Sequence, residues 1–222
     1  MKKILIIVAH PDDETIGCGG TIAKHVHNKD KVFCVSFTDG VSSRGASNIN
    51  KKKRVTSKLK ASKILGFNWI NNTHVFKDNQ LDTYPLIKFV KIIEKIKKKI
   101  NPDIIYTHNS SDLNIDHKVI SNATSVAFRP QPNEKFRKII AFEIPSSTDY
   151  SNEDFFFRPN HWVNISNYWK IKEKALNAYG QEIKKKPHSR SHEGIKNLAK
   201  FRGNQSGLDL AESFKIIRSI KR

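Results

Sequence analysis

The sequence predicts an α/β protein, a single-domain Rossmann-like fold over residues 1–222 with a mainly parallel sheet flanked by helices. Three observations carry this. Short strand-like runs at Ile4–Ala9, Val32–Phe37 and Asp103–Thr107 alternate with longer segments of helical period, the order that βαβ units produce. The runs are mostly apolar and β-branched rather than strictly alternating, as in strands covered on both faces. Two of them end in loops dense in His, Asp and Asn, and open α/β sheets place their ligand crevices beyond the carboxyl ends of strands.

The elements follow in order. Ile4–Ala9 is a strand that stops at His10-Pro11-Asp12-Asp13-Glu14. Glu14–Asn28 is a helix whose Gly17, Gly19 and Gly20 lower its intrinsic propensity but permit close backbone packing. Val32–Phe37 is the second strand, closed by Thr38-Asp39-Gly40 and a polar loop with Ser42, Ser43, Arg44 and Gly45. Lys51–Leu65 is a helix with Val55, Leu59, Ser62 and Leu65 on its inner side, and Gly66 ends it. Thr73–Phe76 is a short strand. Tyr84–Ile100 is amphipathic, with Leu86, Phe89, Val90, Ile93, Ile96 and Ile100 on one side and lysines on the other, and Pro102 stops it. Asp103–Thr107 is a strand leading into a second polar loop, Asn109–His117, and a helix then runs to about Phe128. Lys138–Ile144 and Trp162–Ile165 are strands, Tyr168–Lys184 is a helix, and Gly194–Phe201 is a short helix. Leu208–Ile220 has no decisive period.

Composition narrows the class. The chain carries 40 Lys and Arg against 21 Asp and Glu, a formal charge of +19, and 31 of the 40 are lysines. Runs such as Lys51–Arg54, Lys97–Lys99 and Lys184–Lys186 fit either solvated helix faces or attraction to an anionic partner. Lys97–Lys99 is expected to see only solvent. Cys18 and Cys34 are too few for a disulfide framework or a thiolate metal site. No segment approaches a membrane span, and the apolar stretch after Lys2-Lys3 is too short for a signal peptide. The reading is a cytoplasmic enzyme. A dinucleotide fold is excluded as the source of function: Gly17-Cys18-Gly19-Gly20 does not match the phosphate fingerprint, and there is no phosphate-cradling Gly-Lys-Ser/Thr loop.

His-Pro-Asp-Asp-Glu alone would also suit a capped helix start, since Asp oxygens satisfy orphan amide donors. The second loop changes the balance. Two strands now deliver two imidazoles, His10 and His117, with carboxylates beside them. Catalytic zinc takes three protein ligands and leaves a position for water. Of the adjacent Asp12 and Asp13, one can bind metal while the other stays free as a base.

Ala9-His10-Pro11-Asp12-Asp13-Glu14 with Asn114-Ile115-Asp116-His117 resembles the PIG-L/LmbE-like zinc-dependent deacetylases, which remove acetyl groups from N-acetylglucosamine-type substrates. Thr38-Asp39-Gly40 with Arg44, the helix from Arg54, Asp78, Arg202-Gly203 and Ala211–Phe214 extend the resemblance over nearly the whole chain. The resemblance implies that His10, Asp13 and His117 bind one Zn2+ or another divalent metal per chain, and that Asp12 is the general base. It implies that Arg54 and Asp78 contact substrate, with Arg44 and His188 as further candidates. Many members carry His-x-Asp-His where this chain has Asn114; that His is held to stabilise the oxyanion or protonate the leaving amine. An Asn amide donates a hydrogen bond but no proton. Asn114 is thus expected at the oxyanion, and Asp12 in both proton-transfer roles. The implied substrate is an N-acetylated sugar or conjugate, nucleotide-linked or otherwise anionic given the charge, in glycan biosynthesis. The alternatives are an amidase acting on a thiol–sugar conjugate and a non-catalytic nucleic-acid-binding protein on the same fold, the latter disfavoured by the intact set of four residues. A homo-oligomer is compatible with all of this. Among the other histidines, His108 is a candidate for lining the site, His25 and His27 are expected at the surface, and His74 and His161 within the structure.

Overall fold

A computed structural model describes residues 1–45, 47–71, 76–132, 134–151 and 156–221. Its elements are β1 (Lys3–Val8), α1 (Asp13–His27), β2 (Lys31–Ser36), α2 (Asn48–Leu65), β3 (Asn68–Trp69), α3 (Leu86–Ile100), β4 (Ile104–His108), α4 (Ile115–Ala127), β5 (Lys138–Phe142), β6 (His161–Asn164), α5 (Trp169–Ala178), α6 (His192–Asn204) and β7 (Ala211–Ser219). The seven strands form one sheet in the order β3-β2-β1-β4-β5-β7-β6. β3 to β5 are mutually parallel in this order, and β7 runs antiparallel to both β5 and β6.

The apolar runs form strands because both faces of the sheet are covered. Ile4, Ile6 and Val8 enter one core with Ile16, Leu65, Phe142, Leu176 and Phe214. Leu5, Ile7 and Ala9 enter the other with Phe37, Phe89, Ile93 and Ile120. Alternate side chains of β1 therefore serve opposite layers, which removes the polar face that alternation would require. α1, α2, α5 and α6 lie over the first face, and α3 and α4 over the second. The chain leaves β1 toward β2 and later returns to β1's other side as β4. That reversal makes the carboxyl ends of β1 and β4 the switch point of the sheet, where a crevice must open.

Several expectations are corrected. α5 ends at Ala178, not Lys184, because Tyr179 and Gly180 turn the chain so that Glu182 is buried against Arg54. In α2 the buried stripe is Arg54, Ala61, Ser62 and Leu65, while Val55 and Leu59 are exposed. A charged residue on the inner stripe is invisible to an apolar pattern. Lys97 is not a solvent group: its ammonium binds Ala127 O at 2.9 Å and pairs with Glu134. His25 is half-buried, with Nδ1 2.9 Å from Asp30 and Nε2 3.0 Å from the Tyr106 hydroxyl. The tail is β7, which pairs on both sides. Of the strand expected over Thr73–Phe76, residues 73–75 and with them His74 lie outside the described residues, and Phe76 bridges Thr38. No helix among the described residues is long and apolar enough to cross a membrane.

Candidate functional site

The two polar loops meet at the switch point. After β1 the chain turns through His10–Asp12 into α1, and after β4 it runs from Asn109 to Asn114 into α4. His10 Nδ1 lies 3.2 Å from Asp13 Oδ2 and 3.2 Å from His117 Nε2. His117 Nε2 lies 3.5 Å from Asp13 Oδ2. Ligands bonded tetrahedrally to zinc at about 2.0–2.1 Å stand roughly 3.3–3.4 Å apart. The three atoms have that spacing: His10 comes from the first loop, and Asp13 and His117 from the first turns of α1 and α4.

The surroundings fix which ring atoms face inward. His10 Nε2 lies 3.2 Å from both Asp78 Oδ1 and Asp116 Oδ2, and His117 Nδ1 lies 3.1 Å from Asp112 Oδ1. Each carboxylate draws the ring proton to itself, so a neutral ring turns a lone pair toward Asp13. Two lone pairs and a carboxylate oxygen then converge with no proton between them, a donor set that calls for a cation. The electrostatics show that this position favours positive charge, met by ring protons where no cation is held. Burial opposes charge on His10, yet Asp13 and its hydrogen-bonding acids hold its imidazolium well above the usual range. For His117 the same contest, won by Asp13 and Asp112, ends at about 9. Asp13 itself, despite burial, is held well below the carboxylate range by His117, His10 and His108.

Asp78 and Asp116 could join His10 in a second three-donor group. Both are already engaged. Asp116 accepts from the backbone N–H groups of Asn79 and Leu81 at 2.8 and 3.0 Å, and Asp78 accepts from Ser43 Oγ at 2.5 Å. Both contact the His10 ring on its side away from Asp13.

Asp12 has φ 149° and ψ −27°, a backbone conformation that costs an L-residue about 1–3 kcal/mol. Its surroundings impose it. Asp12 N–H donates to Glu14 Oε2 at 3.0 Å, and Asp12 O accepts from Thr15 and Ile16 at 3.0 and 2.9 Å. Glu14 is itself clamped by Thr15 Oγ1 at 2.7 Å and the Tyr179 hydroxyl at 2.9 Å, and burial pushes its carboxyl up to about 7. The bend sends Asp12 and Asp13 in different directions, so one can face the cation and the other the cavity. Burial raises the Asp12 carboxyl, with Arg54 opposing.

A cavity of about 200 Å³ opens in front of these groups and is lined by His10, Asp12, Asp13, Asp78 and Asn114. Asn114 is the N-cap of α4: Oδ1 accepts from Asp116 N at 2.9 Å, while Nδ2 lies 3.4 Å from Asn79 Oδ1 at the cavity edge. Arg54 sits behind Asp12, not on the cavity. It donates to Pro11 O at 2.6 Å and Gly40 O at 3.2 Å, and pairs with Asp12 at 3.3 Å and Glu182 at 2.5 Å. Arg44 lines the cavity and shares Glu182 at 3.0 Å. His188 is exposed and off the cavity, with Nδ1 accepting from Arg190 N at 3.0 Å. His108 lies behind the donor atoms. Its Nε2 accepts from Ala9 N at 2.9 Å, its ring stacks on His117 at 3.9 Å, and burial holds it at about 4 and so neutral.

Sequence reasoning missed Asp112, Glu182, Lys184 and Arg190. Asp112 lay within the second loop and could have been sought as a partner for His117. The other three come from a segment read as helix and basic run; its one signal was His188, which the resemblance put forward as a substrate contact two residues before Arg190.

The family described as PIG-L, GlcNAc-PI de-N-acetylase, matches residues 5–128. The chain belongs to the PIG-L family. Diacetylchitobiose deacetylase of Thermococcus kodakarensis is 24% identical over 229 residues, covering 99% of this chain and 85% of the relative. An uncharacterised deacetylase, YaiS, of Escherichia coli is 31% identical over 152 residues, covering 66% and 76%. The crystal structure of N,N'-diacetylchitobiose deacetylase from Pyrococcus horikoshii with an inhibitor superposes with a TM-score of 0.75 at 24% identity, over 98% of this chain and 84% of that one. The PIG-L homologues are deacetylases, hydrolases of N-acetyl amide bonds, and metal dependence is typical of the family.

Proposed function

We propose that this protein is a divalent-metal hydrolase, with zinc as the first candidate, that removes the acetyl group from an N-acetylated sugar. The observation that carries the reading is the spacing of His10 Nδ1, Asp13 Oδ2 and His117 Nε2 at 3.2 to 3.5 Å, each imidazole turned by a carboxylate on its far side. A divalent cation held there acidifies water toward neutral pH and polarises the acetyl carbonyl.

The chain's own residues supply the rest. Asp12 lines the same cavity and takes the proton of the attacking water. Arg54 holds it from behind, and the bent backbone keeps it off the cation. Asn114 Nδ2 donates to the oxygen that gains charge as the carbonyl becomes tetrahedral. Collapse breaks the C–N bond, and the proton held by Asp12 passes to the departing nitrogen. Acetate and a free amine leave. Asp12 serves as acid and base because Asn114 has no proton to give.

Two variants test this together. His117→Ala should lose most of its metal by elemental analysis. Asp12→Asn should keep the metal and lose roughly 10²–10⁴-fold in acetate release from N-acetylglucosamine or diacetylchitobiose. Full metal occupancy in the first, or wild-type turnover in the second, would reject the assignment.

A further inference from the structure

The cavity has two chemically different ends. Its floor is acidic: Asp12, Asp13 and Asp78 surround His10. Its outer wall is basic, with Arg44, Lys184 and Arg190. Accounting for the wall charge by charge separates them. Arg44 and Arg54 share Glu182, at 3.0 and 2.5 Å, and Arg54 also pairs with Asp12 at 3.3 Å. Two guanidiniums thus face two carboxylates and are balanced. Lys184 and Arg190 stand outside that balance, with no carboxylate paired to either among the described residues.

The fold brings these two cations together deliberately. The segment after α5 doubles back on itself, and Lys184 N–H donates to Arg190 O at 3.2 Å. The pairing sets the two residues side by side although six positions separate them in the chain. Arg190 is further fixed: Nε donates to Pro145 O at 3.1 Å, leaving its two terminal nitrogens for the cavity. A guanidinium anchored through Nε presents a planar fork suited to two oxygens of one anion.

Resting on the deacetylase reading above, we infer that Lys184 and Arg190 form a phosphoryl-binding subsite, and that the substrate is an N-acetylated sugar bearing a phosphate near its acetamido group. Two cations without a paired carboxylate match the charge of a phosphate monoester or of a pyrophosphate link better than a single carboxylate or a neutral disaccharide does. The cavity's 200 Å³ is below the roughly 300–1,000 Å³ of drug-sized pockets. One sugar ring therefore occupies it, with its charged substituent at the rim.

The test compares N-acetylglucosamine, its 1-phosphate and its UDP conjugate on metal-loaded wild type and the Lys184→Gln/Arg190→Gln double variant. The wild type should favour the phosphorylated sugars in kcat/KM, and the double variant should lose that preference by about tenfold or more. Inorganic phosphate should raise the wild-type Tm and compete with the phosphorylated substrate, and both effects should weaken in the variant. An unchanged preference in the variant, or no phosphate effect on wild-type Tm, would overturn the subsite. The thermal measurement needs no turnover. Absence of acetate release from every sugar would therefore reject the deacetylase reading while leaving the phosphate result to decide the subsite separately.

Discussion

Asn114 shows how one side chain can answer two demands. Its carbonyl oxygen caps α4, accepting from Asp116 and His117 at 2.9 and 3.4 Å, and so helps to present His117 to the candidate metal position. Its amide nitrogen remains at the cavity edge. The two roles separate experimentally, because Ser caps a helix about as well as Asn but lacks the amide donor. Asn114→Ser should hold its metal and its unfolding midpoint near wild type while kcat falls by up to the 10²–10³-fold seen when an oxyanion donor is removed. Asn114→Ala should lose about 0.5–2 kcal/mol of stability as well. Equal kcat for wild type and the Ser variant would confine Asn114 to capping. At this scale the sequence was informative where chemistry is local. His10, Asp12 and Asp13 are neighbours in the chain, and a cluster of such groups after a strand has few structural uses. Arg54 was noticed, but its direction was not readable. Whether it meets substrate or a buried carboxylate depends on Glu182, which the chain brings in from 128 positions away.

The element that carries the site, α1, is not a simple helix. It bends at Cys18, where φ is −145° and ψ is 23°. The bend is held by a buried ion pair. Glu212 on β7 accepts from Gly20 N at 2.9 Å and Thr21 N at 2.7 Å, and Lys172 on α5 binds both Glu212 at 2.7 Å and Ile16 O at 2.8 Å. Backbone groups that a straight helix would pair internally are thus satisfied from outside. Two glycines of α1 mark close approaches: a Cβ on Gly17 would meet Phe142 at 2.5 Å, and one on Gly20 would meet Ile165 at 2.7 Å. Glu212→Ala leaves the buried Lys172 ammonium without its counter-charge and two amides without partners, and should cost about 3–5 kcal/mol in denaturant unfolding. Replacing both members by Met and Leu should cost less than Glu212→Ala alone, and additivity of the single losses would show that the pair is not coupled. The glycines of α1 were legible as a packing signal. The brace was not, since Lys172 and Glu212 look like ordinary surface residues until β7 is placed, and β7 lacked a clear period because it pairs on both sides.

For the whole molecule, the formal +19 needs to be divided by location before it means anything. α2 starts beyond the carboxyl end of β2, on the same edge of the sheet as the site, and carries Lys51–Arg54 in its first two turns. The helix dipole disfavours cations at that end, so helix stability does not explain them. Lys98 and Lys99 end α3 at the opposite edge, just before β4, where the dipole favours them. The two groups are separated by at least the length of β4, roughly 13 Å, which exceeds the Debye length of about 8 Å at physiological salt. Lys52→Gln/Lys53→Gln and Lys98→Gln/Lys99→Gln remove the same charge from different ends. If the field serves an anionic substrate entering the site, only the first double variant should lower kcat/KM for N-acetylglucosamine 1-phosphate at low ionic strength, and the loss should fade as salt rises. kcat should stay unchanged in both, because neither pair touches the cavity. A nucleic-acid-binding surface predicts another pattern: tight, salt-sensitive binding of a DNA or RNA duplex, weakened whenever the charges on the contacted face are removed, with no relation to turnover. Equal effects of the two variants on kcat/KM would mean that the charge acts through the molecule's total and not through its placement around the site.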